Sequence, residues 1–386
     1  MTAPAKRLVL LILALLISVS LVSACSGGTA AKPTEPAKES ASPKASPKPE
    51  QATPKPIGNV GTPKSEAPAA PKELKTVRIG MLGSASDAGV IIAMEKGYFE
   101  QEGLRMEVTP FDTAAKMIAP LGSGQLDVGG GALGAGLFNA VARDVTVKVV
   151  ADKGSFLPKH GFSPLVLRKD LYDSGTIKSL KDLKGRKVAI TALGAGPHYS
   201  LIKAYEQAGG NEKDIELVPM AHTDMIVALK QKAVDAGVVT EPSAVLMERD
   251  GYAVRWIPAD KLVPNSQNAV VLYSGAWAAK DPDAAKGFMV AYIKGVRDYN
   301  DAFEKNKGKP EVIAMLIKHT TLKDASVYDQ MITPGLNPNG KVNKADIAQQ
   351  QQWYMEKGLV KTPAPIDQLV DDQYVEYAVK KLGEYK

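Results

Sequence analysis

The sequence holds one cysteine in 386 residues, Cys25, so no disulfide can form within the chain and no metal site can be built on thiolates. Its four histidines, His160, His198, His222 and His319, are scattered, and no HExxH pattern joins any two of them. GxSxG is absent. The one SxxK, Ser200-Leu201-Ile202-Lys203, lacks the SDN and KTG partners that such an acyl-enzyme site needs. An excess of one charge is lacking too, once the formal +6 is apportioned. Lys6 and Arg7 supply two positive charges, and residues 26–73 carry seven Lys against five Glu. From Leu74 on, 39 basic residues face 37 acidic ones with no arginine stripe, so nucleic acid is not an expected partner. What is abundant is apolar side chain, 45% of the residues, enough for a sizeable core.

The apolar run Leu8–Leu21 has 14 residues, short of the about 20 that a membrane span needs. Behind Lys6 and Arg7 it reads as an export signal, residues 1–25. It ends in Val22-Ser23-Ala24-Cys25, which resembles a bacterial lipobox, where the thiol takes a diacylglyceryl group. The alternative is an ordinary signal peptide with an incidental cysteine. Lipid on Cys25 implies an extracytoplasmic protein anchored to the cell membrane. Residues 26–73 include ten prolines and almost no large apolar side chain, so they cannot bury enough surface to fold. They read as a disordered tether reaching between about 40 Å as a coil and about 150 Å as polyproline II.

From Lys75 on, strand and helix patterns alternate, which implies mostly parallel sheet covered by helices. The run Val77–Leu82 breaks at Gly83, small residues follow, and Val90, Ile91 and Met94 mark a helix face. Ser86 or Asp87 is placed to cap that helix, and the loop reads as one wall of a solute cleft, with an ordinary β–α turn as the bland alternative. Gly129-Gly130-Gly131-Ala132-Leu133-Gly134 matches GxGxxG, with Asp152 near the offset of a ribose-binding acid. A lone GxGxxG is a weak signal, and it falls on the third strand of its domain. A second backbone-rich wall is the preferred reading. A second α/β series follows Ser163, with Ala195–Tyr199 and Thr240-Glu241 at strand-to-helix turns and helices at His198–Ala208 and Ser243–Arg249. Asn268–Tyr273 crosses back to the first half. Helices at Pro282–Glu304, Pro310–His319, Lys344–Lys357 and Asp367–Leu382 are expected to pack around the first lobe, with Trp277 and Trp353 inside.

Three spaced segments carry a family resemblance: Ala93-Met94-Glu95-Lys96-Gly97-Tyr98-Phe99 with Glu102-Gly103-Leu104, then Leu121–Val128, then Asp235–Pro242. They resemble, in order, the "A..KGYF..EGL", "L.SGQ.D" and "DA.VV.EP" stretches of a family of bacterial ABC-importer solute-binding proteins. The family serves nitrate, sulfonates, taurine, thiamine-precursor pyrimidines and riboflavin. The resemblance implies a type II periplasmic-binding-protein fold, two α/β lobes joined by two crossing strands around a central ligand cleft. Lobe 1 is then 74–162 plus 273–386 and lobe 2 is 163–272. It implies ABC permease and ATPase subunits as partners, a monomer, no cofactor and no metal, and a receptor rather than an enzyme. Two rivals stand beside it. One is an enzyme on the same fold like the family's pyrimidine synthase, whose Cys-rich iron motif is missing. The other is a sensory ligand-binding module.

By position, the ligand residues implied are Ser84, Ser86 and Asp87; Gly131, Ala132 and Leu133; Ala195, Gly196, His198 and Tyr199; and Thr240 and Glu241. Helix N-termini converging on one cleft suit an oxyanion. No arginine lies in these loops, however, and Asp87 and Glu241 favour N–H donors such as those of a heteroaromatic ring. Tyr199 and Phe156 are candidates to stack on such a ring. Glu241 has a second reading, as a cap of its own helix.

Overall fold

The computed structural model describes residues 73–320 and 322–386, all within the unit Pro68–Lys386. The expected signal, Cys25 and the tether up to residue 72 lie outside the described residues. Among the described residues, ten strands run in chain order: β1 (Lys75–Met81), β2 (Leu104–Pro110), β3 (Val128–Ala132), β4 (Val147–Ser155), β5 (Leu165–Arg168), β6 (Lys187–Ile190), β7 (Glu216–Pro219), β8 (Ala236–Val238), β9 (Ala253–Ile257) and β10 (Gln267–Ser274). They form two five-stranded sheets, ordered β2-β1-β3-β10-β4 and β7-β6-β8-β5-β9. In each, the first three strands of the order are parallel. Each sheet also has one antiparallel strand in its fourth place, β10 in the first and β5 in the second. Helices fill the connections, the α/β lobes that the alternation of patterns predicts. Among the described residues no helix is long and apolar enough to cross a membrane.

The chain passes between the sheets at 156–164 and returns at 258–266. These segments pair where they leave the first sheet: Phe156 N–H donates to Ser266 O at 2.9 Å and Asn265 N–H to Phe156 O at 3.0 Å. They prolong the β4–β10 ladder, and the return contains a helical turn, Ala259–Leu262. Residues 267–272 therefore lie in the first sheet, ahead of the return expected at 273. Gln267 joins two buried carboxylates there. Its backbone N–H donates to Asp346 (2.7 Å) and its side-chain amide to Asp152 (2.6 Å). Ser155 Oγ and the N–H groups of Gly154 and Asn337 complete Asp152, while Ser266 Oγ and Gln350 Nε2 complete Asp346.

The long helix Pro282–Glu304 runs through the first lobe, as its pattern predicts, and its buried face meets the helix Ala88–Glu95. The two backbones cross closely enough that a Cβ on Gly295 lies 2.1 Å from Gly89 O, and one on Gly89 lies 2.7 Å from Val296. This crossing seats the turn before Ala88 against the first sheet. Two C-terminal expectations are corrected. The helix expected over Asp367–Leu382 is broken into Ile366–Leu369 and Gln373–Leu382. Val370 bridges to Val149 and Asp371 N–H donates to Val149 O at 2.9 Å, so pairing with the sheet edge overrides helical continuity. The helix Lys344–Glu356 packs on both lobes rather than on the first alone. Trp353 meets His198 and Tyr199 edge-on at 5.3 Å, and Tyr354 meets Phe138 at 5.9 Å.

Gly295→Val should lower unfolding free energy by about 1–3 kcal/mol, because the added bulk meets backbone that cannot rotate away. An unchanged midpoint in urea would contradict the close crossing. Burial also raises Asp152 and Asp346 above the ordinary carboxylate range, and among the described residues no salt bridge opposes it. A raised folded-state pKa means that folding takes up protons. The associated stability is fully present below the ordinary carboxyl pKa of about 4 and is lost as pH rises through the raised values. Asp346→Asn should flatten the dependence of stability on pH above about pH 4. Parallel profiles for variant and wild type in urea titrations would contradict this sign.

Candidate functional site

The first predicted wall is organised by Asp87. β1 ends at Met81, Ser84 caps a 3-10 turn, Ala85–Asp87, and Asp87 holds the expected N-cap position of the helix Ala88–Glu95 without a side-chain bond to it. Asp87 is fully buried, and its Oδ2 accepts from the N–H groups of Leu82 (3.2 Å) and Ser84 (3.0 Å). Its Oδ1 lies 2.6 Å from Lys153 Nζ. Lys153 is 3% exposed and donates to Ser86 Oγ at 3.0 Å, and Ser86 Oγ is 3.0 Å from Ser84 Oγ. Sequence reasoning missed Lys153. Its signal is a lysine inside the otherwise buried strand β4, which only a nearby anion makes tolerable.

The glycine run serves this arrangement. Gly129, Gly130 and Gly131 lie inside β3, not in a turn, so the GxGxxG match has no phosphate loop. A Cβ on Gly130 comes within 2.4 Å of Val270 O and 3.0 Å of Lys153 Cδ, so glycine there makes room for β10 and for the lysine. The Asp152 carboxylate at the ribose offset is consumed by the crossing. Leu133 is buried, with its N–H on Asn268 O at 2.8 Å.

The structure brings the second and third predicted loops together directly. Gly134 pairs with Ala195 across the lobes, and Ala135 N–H donates to Gly194 O at 2.8 Å. A Cβ on Gly134 would meet Gly194 O at 2.8 Å, and one on Gly196 would lie 3.3 Å from Ala132 Cβ, so small residues are what allow the lobes this approach. His198 and Tyr199 turn away from it. His198 Nδ1 accepts from Gly194 N–H (3.0 Å) and Nε2 lies 2.8 Å from Glu212 Oε1. Tyr199 is 5% exposed against Trp353, and burial raises its phenol. The helix Gly196–Gln207 docks this face on Trp353, so both expected ligand residues are packed between protein groups. Phe156, the other candidate to stack, is buried against Phe162.

On the fourth loop, Thr240 Oγ1 pairs with Ser163 Oγ at 2.9 Å and is half-buried. Glu241 is 1% exposed. Its Oε2 accepts from Val245 N–H at 2.9 Å, in the first turn of the helix Ser243–Arg249, and its Oε1 accepts from Arg255 Nη1 (3.0 Å) and Ile332 N–H (3.2 Å). Burial pushes this carboxyl up against those donors. The capping reading of Glu241 describes the contact with Val245, and Arg255 and Ile332 take its other oxygen.

Ile332 belongs to a strap that sequence patterns do not reveal. Gln330 O and Ile332 N–H bind the Arg255–Glu241 pair of the second lobe. Gly335 O then accepts from Ser155 N–H, and Asn337 N–H donates to Asp152, both at the end of β4 in the first lobe. Where the lobes meet, a cavity of about 10 Å³ is lined by Ala85, Pro242, Tyr299, Tyr328 and Met331 among others. A larger one, about 190 Å³, lies beside the crossings against Phe156, Asp260 and Asn265, away from the four loops. Among the described residues no group of three or more His, Cys, Asp or Glu is arranged to hold a metal ion.

Known proteins place this architecture. The family described as NMT1/THI5 like matches residues 58–303. A binding protein of Brucella abortus (strain 2308) is 26% identical over 236 residues, 58% of this chain and 67% of that protein. Among solved structures, the periplasmic aliphatic sulphonate binding protein SsuA from Escherichia coli matches with a TM-score of 0.61 at 23% identity, over 76% of this chain and 97% of that one. The periplasmic nitrate-binding protein NrtA from Synechocystis PCC 6803 matches with a TM-score of 0.64 at 17% identity, over 81% and 90%. The desulfurization enzyme DSZB matches at 0.55 and 14% identity, over 80% and 99%. These structures share the two-lobed fold. The family match runs through all ten strands and into the long helix Pro282–Glu304, and the chain belongs to the NMT1/THI5-like family.

Proposed function

We propose that this chain is the extracytoplasmic solute receptor of an ABC importer, which captures a small solute between its lobes and delivers it to a membrane permease and its ATPase. The observation that carries this reading is the meeting of loops from both lobes at Gly134–Ala195, with the loops of Ser84 and Thr240 rising from strand ends of opposite sheets. In open α/β sheets, ligands bind at such carboxyl ends. Relatives named for binding aliphatic sulphonates and nitrate support the class of function. The solute is then a sulfonate-, nitrate- or taurine-like anion, or a heteroaromatic such as a thiamine-precursor pyrimidine or riboflavin. Ligand contacts that span the lobes supply the differential affinity that shifts them toward the closed form.

Export and a lipid on Cys25 hold the receptor at the outer face of the cytoplasmic membrane, the proline-rich tether leaves it free to turn, and it works as a monomer without a cofactor. An enzyme on this fold is the second reading, kept because DSZB shares the architecture. The test is native mass spectrometry of the chain as isolated. A receptor retains a small molecule that is recovered chemically unchanged after incubation, whereas a transformed one favours the enzyme. A cognate solute at 100 times its dissociation constant should add about 2.7 kcal/mol of stability, read as a raised unfolding midpoint. Cys25→Ser should abolish lipid labelling and move the chain out of the membrane fraction, and a labelled variant would refute the anchor.

A further inference from the structure

The ionisable side chains of the four loops are closed by protein partners. Asp87 is paired with Lys153, Glu241 with Arg255, and the two ring nitrogens of His198 are taken by Gly194 N–H and Glu212. Several N–H donors of these loops are used in the same way. Leu82 and Ser84 N–H serve Asp87, Leu133 N–H serves Asn268 O, and Ala195 N–H serves Ala192 O. The first loop in effect carries its own carboxylate where an anionic ligand would dock, and Lys153 cancels it. A second anion there would be desolvated beside Asp87 with no net positive charge to receive it. Among the side chains of these loops, each lobe still offers a half-buried hydroxyl. Ser84 ends the chain Lys153–Ser86–Ser84, and Thr240 pairs with Ser163.

We infer that the solute is uncharged, held between the hydroxyls of Ser84 and Thr240, and that the Asp87–Lys153 pair sets this charge class. The inference rests on the receptor reading and narrows it, setting this chain apart from relatives named for nitrate and sulphonate. The pair acts on specificity through the charge of the wall, so its removal changes which ligands bind.

The test uses the full chain in detergent, with nitrate and ethanesulfonate as probes, read by thermal unfolding and equilibrium dialysis. Neither anion should shift the wild-type midpoint. Asp87→Asn, which leaves Lys153 uncompensated, should gain at least tenfold in affinity for ethanesulfonate, and the gain should vanish in Asp87→Asn/Lys153→Met. Circular dichroism of this charge-free double variant separates loss of binding from loss of fold. A wild-type chain that binds either anion, with binding lost in Lys153→Met, overturns the inference. So does a folded Asp87→Asn that gains nothing. The retained-solute measurement keeps the two readings apart: an anion recovered unchanged sinks the charge class and leaves the receptor standing, while a transformed molecule sinks the receptor.

Discussion

Buried carboxylates that gather backbone N–H groups hold this molecule in its arrangement. A buried N–H left without an acceptor costs about 1–3 kcal/mol, and loops that converge between two lobes bury many of them. Here Asp87 collects Leu82 and Ser84, Glu241 collects Val245 and Ile332, Asp152 collects Gly154 and Asn337, and Asp346 collects Gln267. An ionised acceptor makes these bonds shorter and stronger than a neutral one does. The desolvation that opposes it is met in two ways. Asp87 and Glu241, on the cleft loops, have a cation beside them, while Asp152 and Asp346, at the crossing, have only neutral donors, and burial raises the carboxyls of Glu241, Asp152 and Asp346 alike.

That division matches the mechanical demands of the two places. At the crossing, Gln267 ties Asp152 to Asp346 through one residue, so β4, β10 and the helix Lys344–Glu356 are joined there by hydrogen bonds. The strap from Gln330 to Asn337 carries the same connection to the second lobe, because it ends on Asp152 and begins on the Arg255–Glu241 pair. Relative motion of the lobes therefore has to be taken up by the crossing segments and the strap. The Gly134–Ala195 contact is built of backbone alone and can part without exposing a charge.

The order of strands and helices was legible because apolar periodicity marks most elements and glycine or proline interrupts the chain between many of them. Ser243–Arg249 and Pro282–Glu304 fall where their patterns put them. Local patterns failed where a distant partner decided the outcome. The helix break at Val370 is made by Val149, more than two hundred residues earlier, His198 and Tyr199 are turned inward by the far later Trp353, and Asp87 is paired by Lys153 three strands on. The four loop positions were legible, since each follows a strand. Which of their side chains are paired within the protein was not, because the fold alone brings Lys153 to Asp87. The glycine run misled for a related reason. Its glycines admit a neighbouring strand and a lysine stem, and spacing alone does not separate that need from a phosphate's.

Internal charge pairing also constrains how a ligand couples to closure. A receptor that relies on a free charge in one lobe binds tightly before the lobes meet, and closure then adds little selectivity. Here each lobe is complete in its own charges, and the hydroxyls that remain, Ser84 and Thr240, lie on opposite sheets. A solute that engages only one of them gains a single neutral hydrogen bond, about 0.5–1.5 kcal/mol net, too little for capture. Engaging both requires the approach that Gly134, Gly194 and Gly196 permit, so affinity and closure arise from the same contacts. The small residues at the meeting point and the buried pairs behind it are thus one design: the pairs remove the long-range attraction of each half-site, and the glycines let the second half-site come within reach.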